Sequence, residues 1–234
     1  MRLSAEYRRE AAEKVKPYAG TLAIICLIYT AIIAVINISF KETQMVGDVQ
    51  IEIQNQPISF LMIFVGGQFA LSWNFISQKI NLNEKIEIKD LFFGFKDYKR
   101  GFVSYLLIDV YLALWGLITL GIGAIVKSYS YAMTYFLLQE DKTLGSNEAI
   151  TLSRKLMDGN KWRLFCLEFS YIGWYILSIF TLGILNLWIT PRVNEARYLF
   201  MKDVYEQAGY TLQNNDSEVV IEVPVTEETT IVEE

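Results

Sequence analysis

The stretch AGTLAIICLIYTAIIAVINISF, Ala19 to Phe40, carries no charged residue from end to end. A helix needs roughly 20 apolar residues to cross the hydrocarbon core of a bilayer. This stretch therefore reads as a transmembrane helix and sets the class of the chain. Before it stands MRLSAEYRREAAEKVKPYAG, which does not read as a secretory signal. Its charged region is too long, acids are mixed with the bases, and no small-x-small cleavage site follows the apolar run.

After Phe40 comes a polar segment, Lys41 to Pro57, with one Lys against three acids. A second span is expected over about Pro57 to Ile80, uncharged as far as Lys79, and its Gly66-Gly67 pair points to close helix packing or a kink. Two further apolar stretches, Phe102–Val126 and Trp162–Thr190, are each too long for one ordinary span. Both carry the same interruption, TLGIG at Thr119–Gly123 and TLGIL at Thr181–Leu185. Glycine supplies turn conformations, so Gly121, Gly123 and Gly183 are expected in tight turns between a span and a returning helix. At an offset of 62 residues Thr119–Ile122 lies over Thr181–Ile184, Lys99 over Lys161, and Phe136-Leu137 over Tyr198-Leu199. The repeating unit would be a helical hairpin, about residues 86–139 and again 147–201.

An amphipathic leader precedes each hairpin. Ile88, Leu91, Phe92 and Phe95 share one helical face, and before the last hairpin Ile150, Ser153, Leu156 and Met157 share another. Ser146 is expected to cap that second leader and Gly159 to follow its end. Ser4–Lys16 fills the same role less clearly. Two placements are open for these leaders: in the membrane interface with apolar faces in lipid, or packed on the bundle.

Lys and Arg cluster before the first span, between spans two and three, and before the last hairpin, whereas the opposite side has only Lys41. The positive-inside bias then gives an all-α transmembrane bundle of about six helices as three hairpins. It would be a multi-pass protein of the plasma membrane with both termini cytoplasmic. Residues 1–206 form the integral membrane domain and 207–234 an acidic tail, expected to be disordered. The tail's seven acids distort the net charge of −5; without them 21 bases face 19 acids. No basic patch suits nucleic acid.

The chemistry-bearing residues are few. The chain has no histidine, and its two cysteines, Cys26 and Cys166, sit in apolar stretches where buried small hydrophobes are the ordinary reading. No catalytic set, metal site or cofactor is expected. What stands out is charge inside apolar helices: Asp109 and Glu168 on the outgoing helices, Lys127, Arg192, Glu195 and Arg197 on the returning ones. A charge near the bilayer centre costs about 2.5–3.5 kcal/mol even on the lenient insertion scale, so these groups must face protein, water or head groups. They read as a candidate intramembrane polar network. Its uses are structural ion pairing, a polar groove between helices three to six for an ion, solute or lipid head group, or, least supported, acid–base catalysis by Asp109 and Glu168.

The run SRKLMDGNKWRLF from Ser153, then FSYIGW, TLGIL and the Trp188-x-x-Pro191 spacing, resembles the bacterial membrane family catalogued as domain of unknown function 975, found mostly in Gram-positive bacteria. The basic leader and SYSYAMTYFLL (Ser128–Leu138) are also similar to that family. Arg192, where members often carry an aromatic, and the acidic tail depart from it. The resemblance implies a multi-span plasma-membrane protein and brings no substrate, cofactor or catalytic residue. The functional expectation is a non-enzymatic membrane scaffold or accessory component, with solute, ion or lipid handling through the polar groove as the alternative. The lipid bilayer is the implied partner, with room for other membrane proteins.

Overall fold

A computed structural model describes residues 2–36, 40–46, 49–55 and 62–210. Its body is helical. The leader α1 (Ser4–Val15) runs through one 3-10 turn at Lys16–Tyr18 into α2 (Ala19–Ile36), the charge-free stretch. α3 follows at Met62–Asn81. Between α2 and α3 the polar segment adds an antiparallel hairpin, β1 (Phe40–Val46) and β2 (Val49–Asn55), in the register Val46↔Val49 to Phe40↔Asn55.

The expected repeat is visible in the backbone. The second leader, Ile88–Asp97, leads into α4 (Tyr98–Ile118), which turns at Thr119–Gly121 into α5 (Ile122–Ser130) and then α6 (Thr134–Glu140). The third leader, α7 (Ser146–Leu156), leads into α8 (Lys161–Phe169) and α9 (Ile172–Phe180), which turns into α10 (Asn186–Gln207). At the two turns Leu120 and Leu182 both have φ 51°, followed by Gly121 at 92° and Gly183 at 84°. The hydrogen bonds match residue for residue: Gly121 N–H donates to Gly116 O at 2.8 Å, and Gly183 N–H to Ser178 O at 2.9 Å. Thr119 Oγ1 accepts from Gly123 N at 2.7 Å, and Thr181 Oγ1 from Leu185 N at 3.3 Å. The longer second bond goes with a Cβ at residue 185, since a Cβ at Gly123 would overlap the Thr119 side chain. Gly183→Ala should destabilise the fold by about 1–2 kcal/mol, because an L side chain resists this left-handed conformation. Gly173→Ala, in open space on α9, should not; chemical denaturation of both variants checks the contrast.

Among the described residues three segments are long and apolar enough to cross a membrane: Ser4–Ile36, Ile88–Ile118 and Lys161–Phe180. The six expected helices are present as helices, but their character differs. α3 buries Gln68, Ser72, Ser77 and Gln78 against its neighbours. The first return helix is broken into α5 and α6, and α10 carries Pro191 within it. The junction of α5 and α6 is stitched from outside: Ser153 Oγ donates to Ser130 O at 2.9 Å and accepts from Met133 N at 3.1 Å.

The leaders pack on protein. Ile150, Ser153, Leu156 and Met157 are all buried, as are Tyr7, Ala11 and Val15 of α1. Leu91 and Gly94 are buried but Ile88 and Phe92 are exposed; this leader winds as a 3-10 helix, in which side chains repeat every three residues, so Phe92 leaves the face that Leu91 and Gly94 share. Gly145, not Ser146, precedes α7, and its N–H donates to Glu148 Oε2 at 2.9 Å. Gly159 takes φ 76° just past the helix end, as expected. Two cores result. One joins α1, α6, α7, α8 and α10; the other joins the end of α1 with α2, α3 and the second leader. Cys26 is buried and both cysteines are free. The disorder expected of the tail falls almost wholly on 211–234, outside the described residues.

Candidate functional site: polar ties around the last helix

The six charged residues expected to form one network do not meet in one place. Glu168 and Arg197 do. They pair at 2.8 Å, and Tyr129 OH donates to the other Glu168 oxygen at 2.9 Å, so that α5, α8 and α10 are tied together. Glu195 is fully buried elsewhere, where Asn81 Nδ2 donates to its Oε1 at 2.7 Å. Asn81 in turn accepts from Lys14, whose ammonium also pairs with Glu10 at 3.1 Å, so this tie joins α1, α3 and α10. Lys127 sits over the Trp115 ring at 4.3 Å, a cation–π contact across the first hairpin. Asp109 is exposed on α4 and makes no ion pair or hydrogen bond among the described residues. Arg192 lines a separate pocket with residues of α1. Gly121, Gly123 and Gly183 stand at the hairpin turns.

A third tie was not legible as chemistry. Glu140, buried at the end of α6, accepts from Tyr198 OH at 2.8 Å and from Gln78 Nε2 at 3.3 Å. Gln139 Nε2 completes the cluster by donating to Gln78 Oε1 at 2.9 Å. Burial pushes the Glu140 carboxyl above the usual range, against these bonds. The sequence offers only a Gln-Glu pair closing the apolar run Phe136-Leu137-Leu138, which is also how an exposed helix end looks. Tyr7 OH adds a fourth tie, donating to Asp203 at 2.6 Å. Each of these four ties ends on α10. Through Glu195, Arg197, Tyr198 and Asp203 it holds α1, α3, α5, α6 and α8 in register, which explains how Glu195 and Arg197 sit inside an otherwise apolar assembly: buried polar groups persist when partnered.

A cavity of about 290 Å³ lies between α3, α4, α5–α6 and α10. Asn74, Ser77, Ser128, Asn194 and Arg197 give it polar walls, and Tyr131, Tyr135 and Tyr198 aromatic ones. The hairpin turns project apolar side chains, with Leu120 94% and Leu182 93% exposed. Among the described residues no group of three acids or cysteines is placed to hold a metal ion.

The class defined by this arrangement is a helical membrane-type protein: apolar segments fit to cross a bilayer, joined to a charged body by buried polar ties. Within that class, residues 116–208 match the model of the family described as protein of unknown function (DUF975), the same family that the SRKLMDGNKWRLF run resembles. The matched range takes in both glycine turns and the whole Tyr129–Glu168–Arg197 tie, and stops short of the basic leader. No curated protein and no solved structure matches the chain.

Proposed function

We propose that the protein is a non-enzymatic component of the bacterial plasma membrane that scaffolds or assists other membrane machinery. In this reading the chain passes the membrane several times. The observation that carries it is the use made of polar groups. Glu168, Arg197, Glu195 and Glu140, the residues from which a reactive site would be built, are engaged with partners on other helices. The free surface is instead apolar hairpin and charged body, a division suited to contacts with lipid and with neighbouring proteins. Native mass spectrometry of gently purified protein is expected to show a co-purifying membrane protein. A clean monomer that moves or converts a small molecule when reconstituted alone would overturn the reading.

One observation favours a second reading, the handling of a small solute, ion or lipid. The 290 Å³ cavity has the amide, hydroxyl and guanidinium groups that such a ligand would use. Asp109, Arg192 and Glu195 lie outside its lining, so the groove is smaller in chemistry than the full charged set would make it.

A further inference from the structure

A second cavity, of about 260 Å³, opens between α1, α9 and α10. From α1 it takes Ala5, Arg8, Arg9 and Ala12, spaced i, i+3, i+4, i+7 and so on one face. This face adjoins the one that buries Tyr7, Ala11 and Val15. From the other side Arg192 of α10 reaches the same space, and Trp174 stands at its rim. Three arginines thus line one pocket, and no acid lines it.

Of the other described arginines, Arg154 stands exposed on α7 and Arg163 donates to Asn160 Oδ1 at 2.7 Å. Arg2, Arg100 and Arg197 each face a carboxylate. Arg9 and Arg192 have no side-chain hydrogen bond or ion pair among the described residues. Arg8 is positioned but not neutralised: Nη1 donates to Ser170 O at 2.7 Å, at the break between α8 and α9, and its Nε is buried with no hydrogen-bond partner. Like charges around a cavity raise one another's cost unless an anion offsets them. Guanidinium forks match phosphate oxygens in geometry as well as charge. The pocket also lies at a boundary. Beyond Tyr171 the exposed side chains turn apolar, through Ile172, Ile176 and Ile179 to the hairpin turn, while α1 and Arg192 belong to the charged body.

We propose that this pocket binds a phosphate-bearing anion, held by Arg8, Arg9 and Arg192. An acidic phospholipid, its phosphodiester in the pocket and its chains along the α9 surface, and free phosphate are the two sources of that chemistry. The test uses the full chain in detergent with three probes: inorganic phosphate, dioleoylphosphatidylglycerol and dioleoylphosphatidylcholine. Native mass spectrometry and the thermal midpoint read binding. Phosphatidylglycerol is expected to bind about tenfold more tightly than phosphatidylcholine, and the double variant Arg9→Ala/Arg192→Ala to lose about tenfold in that affinity. The midpoint without ligand should stay unchanged, since neither side chain makes a structural bond. Stabilisation by phosphate alone, lost in the double variant, assigns the site to the free anion. Indifference to both anionic probes, or equal responses in the wild type and the double variant, overturns the proposal. Should the double variant fail to fold, Arg9→Gln and Arg192→Gln singly carry the same test.

Discussion

Gly67→Ala should destabilise the protein by about 3 kcal/mol, the upper range for overpacking a close-packed contact. Gly67 lies on α3 where α4 crosses, and a Cβ there would overlap the carbonyl oxygen of Gly101. That obstacle is backbone, so no rotamer change relieves it; the two helices must part. The same helix is fixed on its other flank, because a Cβ at Gly94 would overlap the Gln68 carbonyl oxygen. Gly94 N–H also donates to Ser72 Oγ at 2.9 Å. Moving α3 away from α4 would therefore drive it towards the second leader. Gly20→Ala supplies the comparison: nothing lies within 4 Å of that position, and alanine is the better helix former. Thermal unfolding in detergent should show a large loss for Gly67→Ala and none for Gly20→Ala. Equal midpoints for the two variants would mean that α3 and α4 do not meet as described.

This contact was half legible in the sequence. Gly66-Gly67 inside an apolar run announces close packing but not its partner, since Gly101 is 34 residues away and sits among charged neighbours. The same division holds through the molecule. Features set by local chemistry could be read: the charge-free α2, the buried faces of α1 and α7, and the paired turns, where Leu-Gly at the same offset adopts the same left-handed backbone twice. Features set by distant partners could not. The break at Ser170 is held by an arginine from α1, and the break after Ser130 by a serine from α7. Nothing within Leu167–Trp174 or Ser128–Tyr135 announces either partner. The charged set shows the limit best. Glu168 and Arg197 meet as an ion pair, but charge inside an apolar helix does not distinguish one network from several separate ties. Asp109, on an apolar helix like Glu168, is exposed and has no ion pair among the described residues.

Glu195→Gln should abolish a pH dependence that the wild type carries. Glu195 lies on α10, outside the three segments fit to cross a membrane, and is wholly buried. Burial pushes its carboxyl from the usual 4.5 up to about 7; the Asn81 bond, the Lys14 charge and the Ser77 hydroxyl favour the charged form but only partly oppose the shift. Between pH 4.5 and 7 the folded protein holds a proton that the unfolded chain has lost, so folding stability falls as pH rises through that window and levels off above it. A shift of this size corresponds to roughly 3 kcal/mol. Glutamine keeps the shape and an oxygen for Asn81 but cannot ionise. The variant should match the wild type near pH 4 and exceed it by about 3 kcal/mol at pH 8. The difference between the two proteins, rather than either profile alone, isolates Glu195, because Glu140 is shifted in the same direction. Urea titrations at pH 4, 6 and 8 would measure it. Parallel profiles for wild type and variant would show that Glu195 is ionised and solvated, and the tie to Asn81 would then lie at the surface. Glu195→Leu separates charge from bonding: it also removes the ionisation but leaves the Asn81 amide without its acceptor, so it should fall below Glu195→Gln at every pH by the cost of a buried unpaired donor, about 1–3 kcal/mol.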